Sequence, residues 1–157
     1  MALENKLGIT DSSELARMEE KISKMKALEL FEKELLDKFE IGTFEGLAEI
    51  HQYLFGKIYH FAGKMRNVNI AKGGFRFAPV IYLEAALKNI DQMPQSTFDE
   101  IIEKYVEMNV AHPFREGNGR STTRLVPDTI NKNLWCQVPS NGVRYQAAPK
   151  QCLRLSC

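Results

Sequence analysis

Nine consecutive residues, His112-Pro113-Phe114-Arg115-Glu116-Gly117-Asn118-Gly119-Arg120, bring together types that can handle a phosphate. Gly117 and Gly119 permit positive φ and let successive N–H groups face one way. A helix starting there would add positive potential, and the product is an anion cradle. Arg120 supplies a forked cation for a phosphate oxygen, and Asn118 an amide donor that needs no deprotonation. Glu116 is the one carboxylate of the stretch. Mg²⁺ carried on nucleotide phosphates prefers oxygen ligands and usually takes one or two carboxylates, so the best role for Glu116 is metal anchor. His112 is left as the side chain that titrates near neutrality and can take a proton from an attacking hydroxyl. Taken singly, each part has a plainer explanation: a Gly-x-Gly is usually a turn, a histidine at a helix end caps the dipole, and a lone glutamate is solvated. No structural role asks for Glu, Asn and Arg interleaved with two glycines beside a histidine, and that coincidence favours the chemical reading.

Such a loop needs a frame. The chain has 157 residues, 44% apolar and 26% charged, which suits one domain with a buried core and excludes a disordered tail protein or a disulfide miniprotein. A net charge of +1 without blocks of like charge gives no support for nucleic-acid binding. No apolar run approaches the ~18 residues of a bilayer span, and the N-terminus lacks a signal peptide's hydrophobic segment. A soluble, cytoplasmic protein without membrane contact is expected. Cys136, Cys152 and Cys157, odd in number and without C-x-x-C spacing, read as free thiols in a reducing compartment.

The periodicity predicts an all-α bundle with one short β-hairpin. Asp11 and Glu14 fit a capping box ahead of Leu15, Met18, Ile22, Met25, Leu28, Phe31 and Leu35, which predicts one long amphipathic helix, or two in series, ending near Phe39. Thr43 caps a second helix with a Leu47, Ile50, Leu54, Ile58 stripe that should stop near Ala62-Gly63. Apolar and polar residues alternate on both sides of Gly73-Gly74, as in a tight hairpin that must lean on helices. Pro79 opens a helix through Ile90, and Thr97 with Glu100 caps another that Pro113 ends after His112. His51 and His60 have no partners at metal-ligand spacing and read as structural, and Lys64 and Arg66 as an exposed helix end.

After residue 120 the composition changes. Up to there 19 acidic side chains face 16 basic ones; beyond it Asp128 alone faces five basic side chains. Every cysteine, Trp135 and three of six prolines fall in this tail.

The nine-residue stretch resembles, without exception, the first nine positions of the Fic family signature, His-x-Phe-x-Asp/Glu-Gly-Asn-Gly-Arg-x-x-Arg. The likeness covers about residues 8 to 124 and includes Leu54-Phe55, the Phe61–Arg66 run and the hairpin. It is nearest to small, single-domain bacterial Fic proteins. The resemblance implies a Fic-type helical bundle whose hairpin, residues 67–78, is a flap that clamps a target segment by strand pairing. Lys72, Phe75 and Phe77 line that flap, or Phe75 and Phe77 pack it onto the bundle. It further implies a protein adenylyltransferase that moves AMP from ATP to a Tyr, Thr or Ser hydroxyl of a target protein. By position, His112 is then the base, and Glu116 holds Mg²⁺. Gly117, Asn118, Gly119 and Arg120 contact the phosphates, and Phe114 packs into the core.

Departures from the pattern begin after Arg120. The second arginine, Arg124, lies four residues on instead of three, which on a helix turns the side chain by about 100° from the γ-phosphate. Pro127 then interrupts any smooth helix. Residues 1–124 therefore read as the Fic domain and 125–157 as an atypical tail, with the reading frame or sequence record diverging shortly after Arg120. No inhibitory Ser/Thr-x-x-x-Glu-Gly/Asn sequence follows residue 121, although an antitoxin-like inhibitor is a partner the resemblance admits. Two competing readings are a Fic-fold protein that transfers another phosphate-containing group, and a catalytically silent helical scaffold.

Overall fold

In the computed structural model, residues 1–122 are described. Arg124, Pro127, Trp135, the cysteines and the expected domain boundary lie outside them. Helix α1, Ser12–Glu32, is capped by Asp11, whose side chain accepts the Glu14 N–H at 2.7 Å. It stops earlier than the long-helix reading, because Glu34 takes a left-handed conformation (φ 53°), and a 3₁₀ turn, Leu35–Lys38, follows in series. The buried row of α1 is Leu15, Glu19, Ser23, Ala27 and Leu30. Met25, Leu28 and Phe31 of the expected stripe are instead exposed. Steps of three outnumber steps of four in that stripe, so it runs below ~3.6 residues per turn and winds off the buried face.

Helix α2, Phe44–Phe55, is the centre of the molecule. Leu47 faces one cluster, while Ile50, Leu54 and Phe55 face a second one shared with α1. Thr43 caps it through the Gly46 N–H at 3.2 Å. It ends at Phe55, short of the expected Ala62-Gly63. Past it the backbone tightens into turns, the Ile58 N–H reaching the Phe55 carbonyl at 2.8 Å, and Lys6 covers the Gly56 and Ile58 carbonyls through its Nζ at 2.6 Å and its N–H at 2.7 Å. The turns that follow drop Ile58, Tyr59 and Ala62 into the α1 cluster.

Strands β1, Ala71–Lys72, and β2, Phe75–Arg76, pair antiparallel, with Ala71 opposite Arg76 and Lys72 opposite Phe75. Gly73 and Gly74 (φ 56° and 82°) supply the two left-handed residues that a two-residue hairpin turn needs. Helix α3, Val80–Gln92, packs on α4, Phe98–Ala111, through Leu83, Leu87, Ile90, Met108 and Ala111. The Thr97/Glu100 capping box forms as expected. A further helix begins at residue 118. Among the described residues no helix is long and apolar enough to cross a membrane.

Candidate active site

His112 terminates α4 in a left-handed conformation (φ 51°), where Pro113 disfavours a further helical residue. Its Nδ1 lies 3.1 Å from the Asn109 carbonyl. A carbonyl only accepts, so Nδ1 carries the proton and Nε2 keeps a lone pair. Phe77 stacks on the imidazole at 3.7 Å and 14°, and Phe75 meets Phe77 edge-on at 5.2 Å. Burial holds the His112 pKa below the ordinary 6.5, against the opposing pull of the Asn109 carbonyl. The ring is therefore neutral at pH 7. Of the two readings of the hairpin aromatics, Phe77 packs while Phe75 stays exposed.

The loop after His112 is built from inside. Phe114 is fully buried, as its motif position implied, and stacks on His51 at 3.9 Å and Phe44 at 5.9 Å. Asn118, 2% exposed, accepts the Phe114 N–H through Oδ1 and donates to the Phe114 carbonyl through Nδ2, both at 2.7 Å. Its side chain thus staples the loop by pairing with both backbone polar groups of Phe114. Gly117 has φ 78°, whereas Gly119 has no positive φ and needs none. At Gly119 a Cβ would meet only open space. At Gly117 it would come within 2.6 Å of the Phe55 ring. Gly117→Ala therefore combines a left-handed strain with a clash and is expected to cost about 2–4 kcal/mol, read from the denaturant midpoint at unchanged slope.

The Gly117 N–H points to an anion already: it donates to Glu116 Oε1 at 3.0 Å. Arg120 sits beside it, with an Nη 3.7 Å from Glu116 and its guanidinium 4.9 Å over the Phe55 ring. Arg120 also forms an ion pair with Glu19 of α1, whose other carboxylate oxygen accepts the Tyr59 hydroxyl. Sequence reading missed this pair; a glutamate followed four residues later by Ser23 inside an otherwise apolar row was its signal. Lys72, His112, Glu116, Gly117, Asn118, Gly119 and Arg120 enclose a cleft of about 500 Å³. So His112, Glu116 and the 117–120 segment do meet, and the hairpin adds Lys72 to them. Glu116, nearly half exposed, offers one hard oxygen donor group on the cleft wall, which fits Mg²⁺ arriving on phosphates. No group of three or more His, Cys, Asp or Glu among the described residues could hold a metal unaided.

Two residues read as incidental prove central to this geometry. Arg66, expected at an exposed helix end, is 3% exposed. Its guanidinium donates to the carbonyls of His112 and Val68 at 2.7 Å, Ala78 at 2.5 Å and Ala111 at 3.1 Å. Four carbonyls left over at a helix end and a hairpin base create a site that only a buried, forked donor fills. His51 is completely buried, and its two ring nitrogens contact Gly63 N and the Glu116 carbonyl. Burial pushes its pKa down to about 4. With the unfolded value at 6.5, the unfolded chain binds more protons between these pH values. The His51 contribution is complete above pH 6.5 and lost as pH falls through 4, a loss of about 3 kcal/mol. Chemical denaturation of wild type against His51→Gln across that window isolates it, since the variant lacks this term.

A mostly helical frame thus sets an imidazole and a glycine-bounded loop around one cleft beneath a short hairpin. The model of the Fic/DOC family matches residues 42–126, and the chain belongs to that family. It is 32% identical over 133 residues to the protein adenylyltransferase VbhT of Bartonella schoenbuchensis, covering 78% of this chain and 27% of VbhT. It is 31% identical over 136 residues to the probable protein adenylyltransferase y4lH of Sinorhizobium fredii, covering 79% and 67%. The chain thus spans about a quarter of VbhT and two thirds of y4lH. Among solved structures, the type IV secretion effector BepA superposes with TM-score 0.69 at 26% identity, covering 84% of this chain and 52% of BepA. The BepC protein of Bartonella tribocorum, solved with AMPPNP bound, gives TM-score 0.66 at 20% identity, covering 85% and 74%.

Proposed function

We propose that this chain is a protein adenylyltransferase that moves AMP from ATP to a Tyr, Thr or Ser hydroxyl of a target protein. The observation that carries this reading is the His112 lone pair on Nε2 at the wall of a cleft whose floor is the Gly117–Arg120 anion loop. The hydroxyl oxygen attacks the α-phosphorus, the bond to the β-phosphate oxygen breaks, pyrophosphate leaves, and the hydroxyl proton passes to Nε2. Main-chain N–H groups of Gly117 and Gly119 and the Arg120 guanidinium neutralise the developing charge, with Lys72 closing the cleft from the hairpin. Asn118 serves by fixing the loop. Arg120 reaches an outer phosphate by sharing itself between that anion and Glu19. Glu116 would hold Mg²⁺ that travels with the nucleotide and supplies charge neutralisation on its phosphates. Arg124, the second arginine of the signature, lies beyond the described residues.

The two exposed strands of the hairpin offer main-chain edges beside His112 on which an extended segment of the target can pair. Dependence on ATP associates the reaction with the cytoplasmic nucleotide pool. The test is ATP labelled at either the α- or the γ-phosphate, incubated with the chain and a cell extract. Relative to extract without the chain, whose own kinases transfer the γ-phosphate, added protein-bound label from α-labelled ATP alone is expected. Added label from the γ position indicates phosphoryl transfer, and none added from either supports the silent scaffold.

A further inference from the structure

We propose that His51 is a positioning residue for the phosphate cradle: by holding the Glu116 carbonyl it sets the direction of the Gly117 N–H. The argument starts from the tautomer. Gly63 N–H donates to Nδ1 at 2.9 Å, so Nδ1 is the acceptor and Nε2 carries the proton. That proton can go only to the Glu116 carbonyl, 2.8 Å away. In a trans peptide the C=O and the following N–H point in opposite directions. Anchoring the Glu116 carbonyl inward therefore turns the Gly117 N–H outward, and its bond to the Glu116 carboxylate shows that it faces an anion.

The anchor is needed because glycine at φ 78° leaves that peptide free to rotate between alternative directions. His51 itself cannot rotate: its ring is stacked on Phe114 at 3.9 Å and lies 4.8 Å from Phe55. A histidine without a role in proton transfer thus connects α2, the Gly63 turn and the anion loop.

The inference rests on the nucleotide reading above, and its test separates the two. His51→Asn keeps a polar group near Gly63 and is too short for the Glu116 carbonyl, whereas His51→Gln retains a donor near the Nε2 position. Calorimetric titration with Mg²⁺-AMPPNP is expected to show binding weakened about tenfold in His51→Asn and within about threefold of wild type in His51→Gln. In ¹⁵N-labelled protein the Gly117 amide resonance, expected to move on AMPPNP addition, moves in wild type and His51→Gln and not in His51→Asn. Wild-type affinity with an unaltered Gly117 response in His51→Asn overturns the inference and leaves the nucleotide reading standing. No AMPPNP binding by wild type removes both. Should His51→Asn fail to fold, the wild-type titration decides: joint movement of the His51 Nε2–H and Gly117 resonances supports the coupling, and movement of Gly117 alone overturns it.

Discussion

His112→Ala is expected to lower transfer of α-labelled AMP by about 10²–10⁴-fold while Mg²⁺-AMPPNP still binds. The asymmetry follows from the geometry. The groups that would receive phosphate oxygens are main-chain N–H groups of the 117–120 segment, Arg120 and Lys72, and none is held by the imidazole ring. What the variant lacks is the Nε2 lone pair, left free because Nδ1 is committed to the Asn109 carbonyl. The pH dependence carries the same signature. Only neutral His112 accepts the hydroxyl proton, and burial under Phe77 keeps it neutral to below pH 6.5. Rate should be level through neutrality and fall as pH drops through that lowered value. Phe77→Ala, by exposing the ring, should move the acid limb up toward 6.5. Equal label transfer by wild type and His112→Ala would remove His112 as the base.

Why the proposed anion loop stands out in the sequence and its supports do not has a physical basis. A loop that must present main-chain N–H groups needs specific residue types at adjacent positions, so Glu116-Gly117-Asn118-Gly119-Arg120 carries its meaning in one dimension. Capped helices are likewise local: the Thr97/Glu100 box and the Thr43 cap involve neighbours three residues apart. Arg66, Glu19 and His51 act across 45, 101 and 65 residues of chain. Nothing near Arg66 or His51 in sequence distinguishes a buried hub from a solvated cation or a core histidine, and for Glu19 the local sign is Ser23 four residues on in the same buried row. The turns after α2 are tied down at the same range, since Lys6 near the N-terminus covers the Gly56 and Ile58 carbonyls. Asn118 shows how a local type can also serve the frame. Its type suited a phosphate donor, and its side chain went to the nearest unpaired backbone groups, those of Phe114.

The second large effect belongs to Arg66, where Arg66→Ala is expected to cost about 3–5 kcal/mol and to lower the melting temperature by about 10 °C. Truncation leaves the carbonyls of Val68, Ala78, Ala111 and His112 without their shared donor in a region where Arg66 itself is 3% exposed. Burial already lowers the Arg66 pKa from its usual value, yet a guanidinium keeps its proton, and its planar fork is what reaches four acceptors at once. Arg66→Lys retains a charge that can reach only part of that set, so an intermediate drop in melting temperature is expected. The effect should extend to chemistry. Val68 and Ala78 flank the hairpin, and Ala111 and His112 close α4, so one side chain fixes the height of the hairpin above the imidazole and holds the left-handed backbone of His112. Below its melting point Arg66→Ala should therefore transfer AMP more slowly with AMPPNP affinity little changed, and be cut faster by protease at Gly73-Gly74. A variant that melts like wild type would show that solvent or neighbouring groups satisfy those carbonyls, and that Phe77, the Ala78 N–H to Val110 bond and the Val80 N–H to Asn69 Oδ1 bond suffice to hold the hairpin.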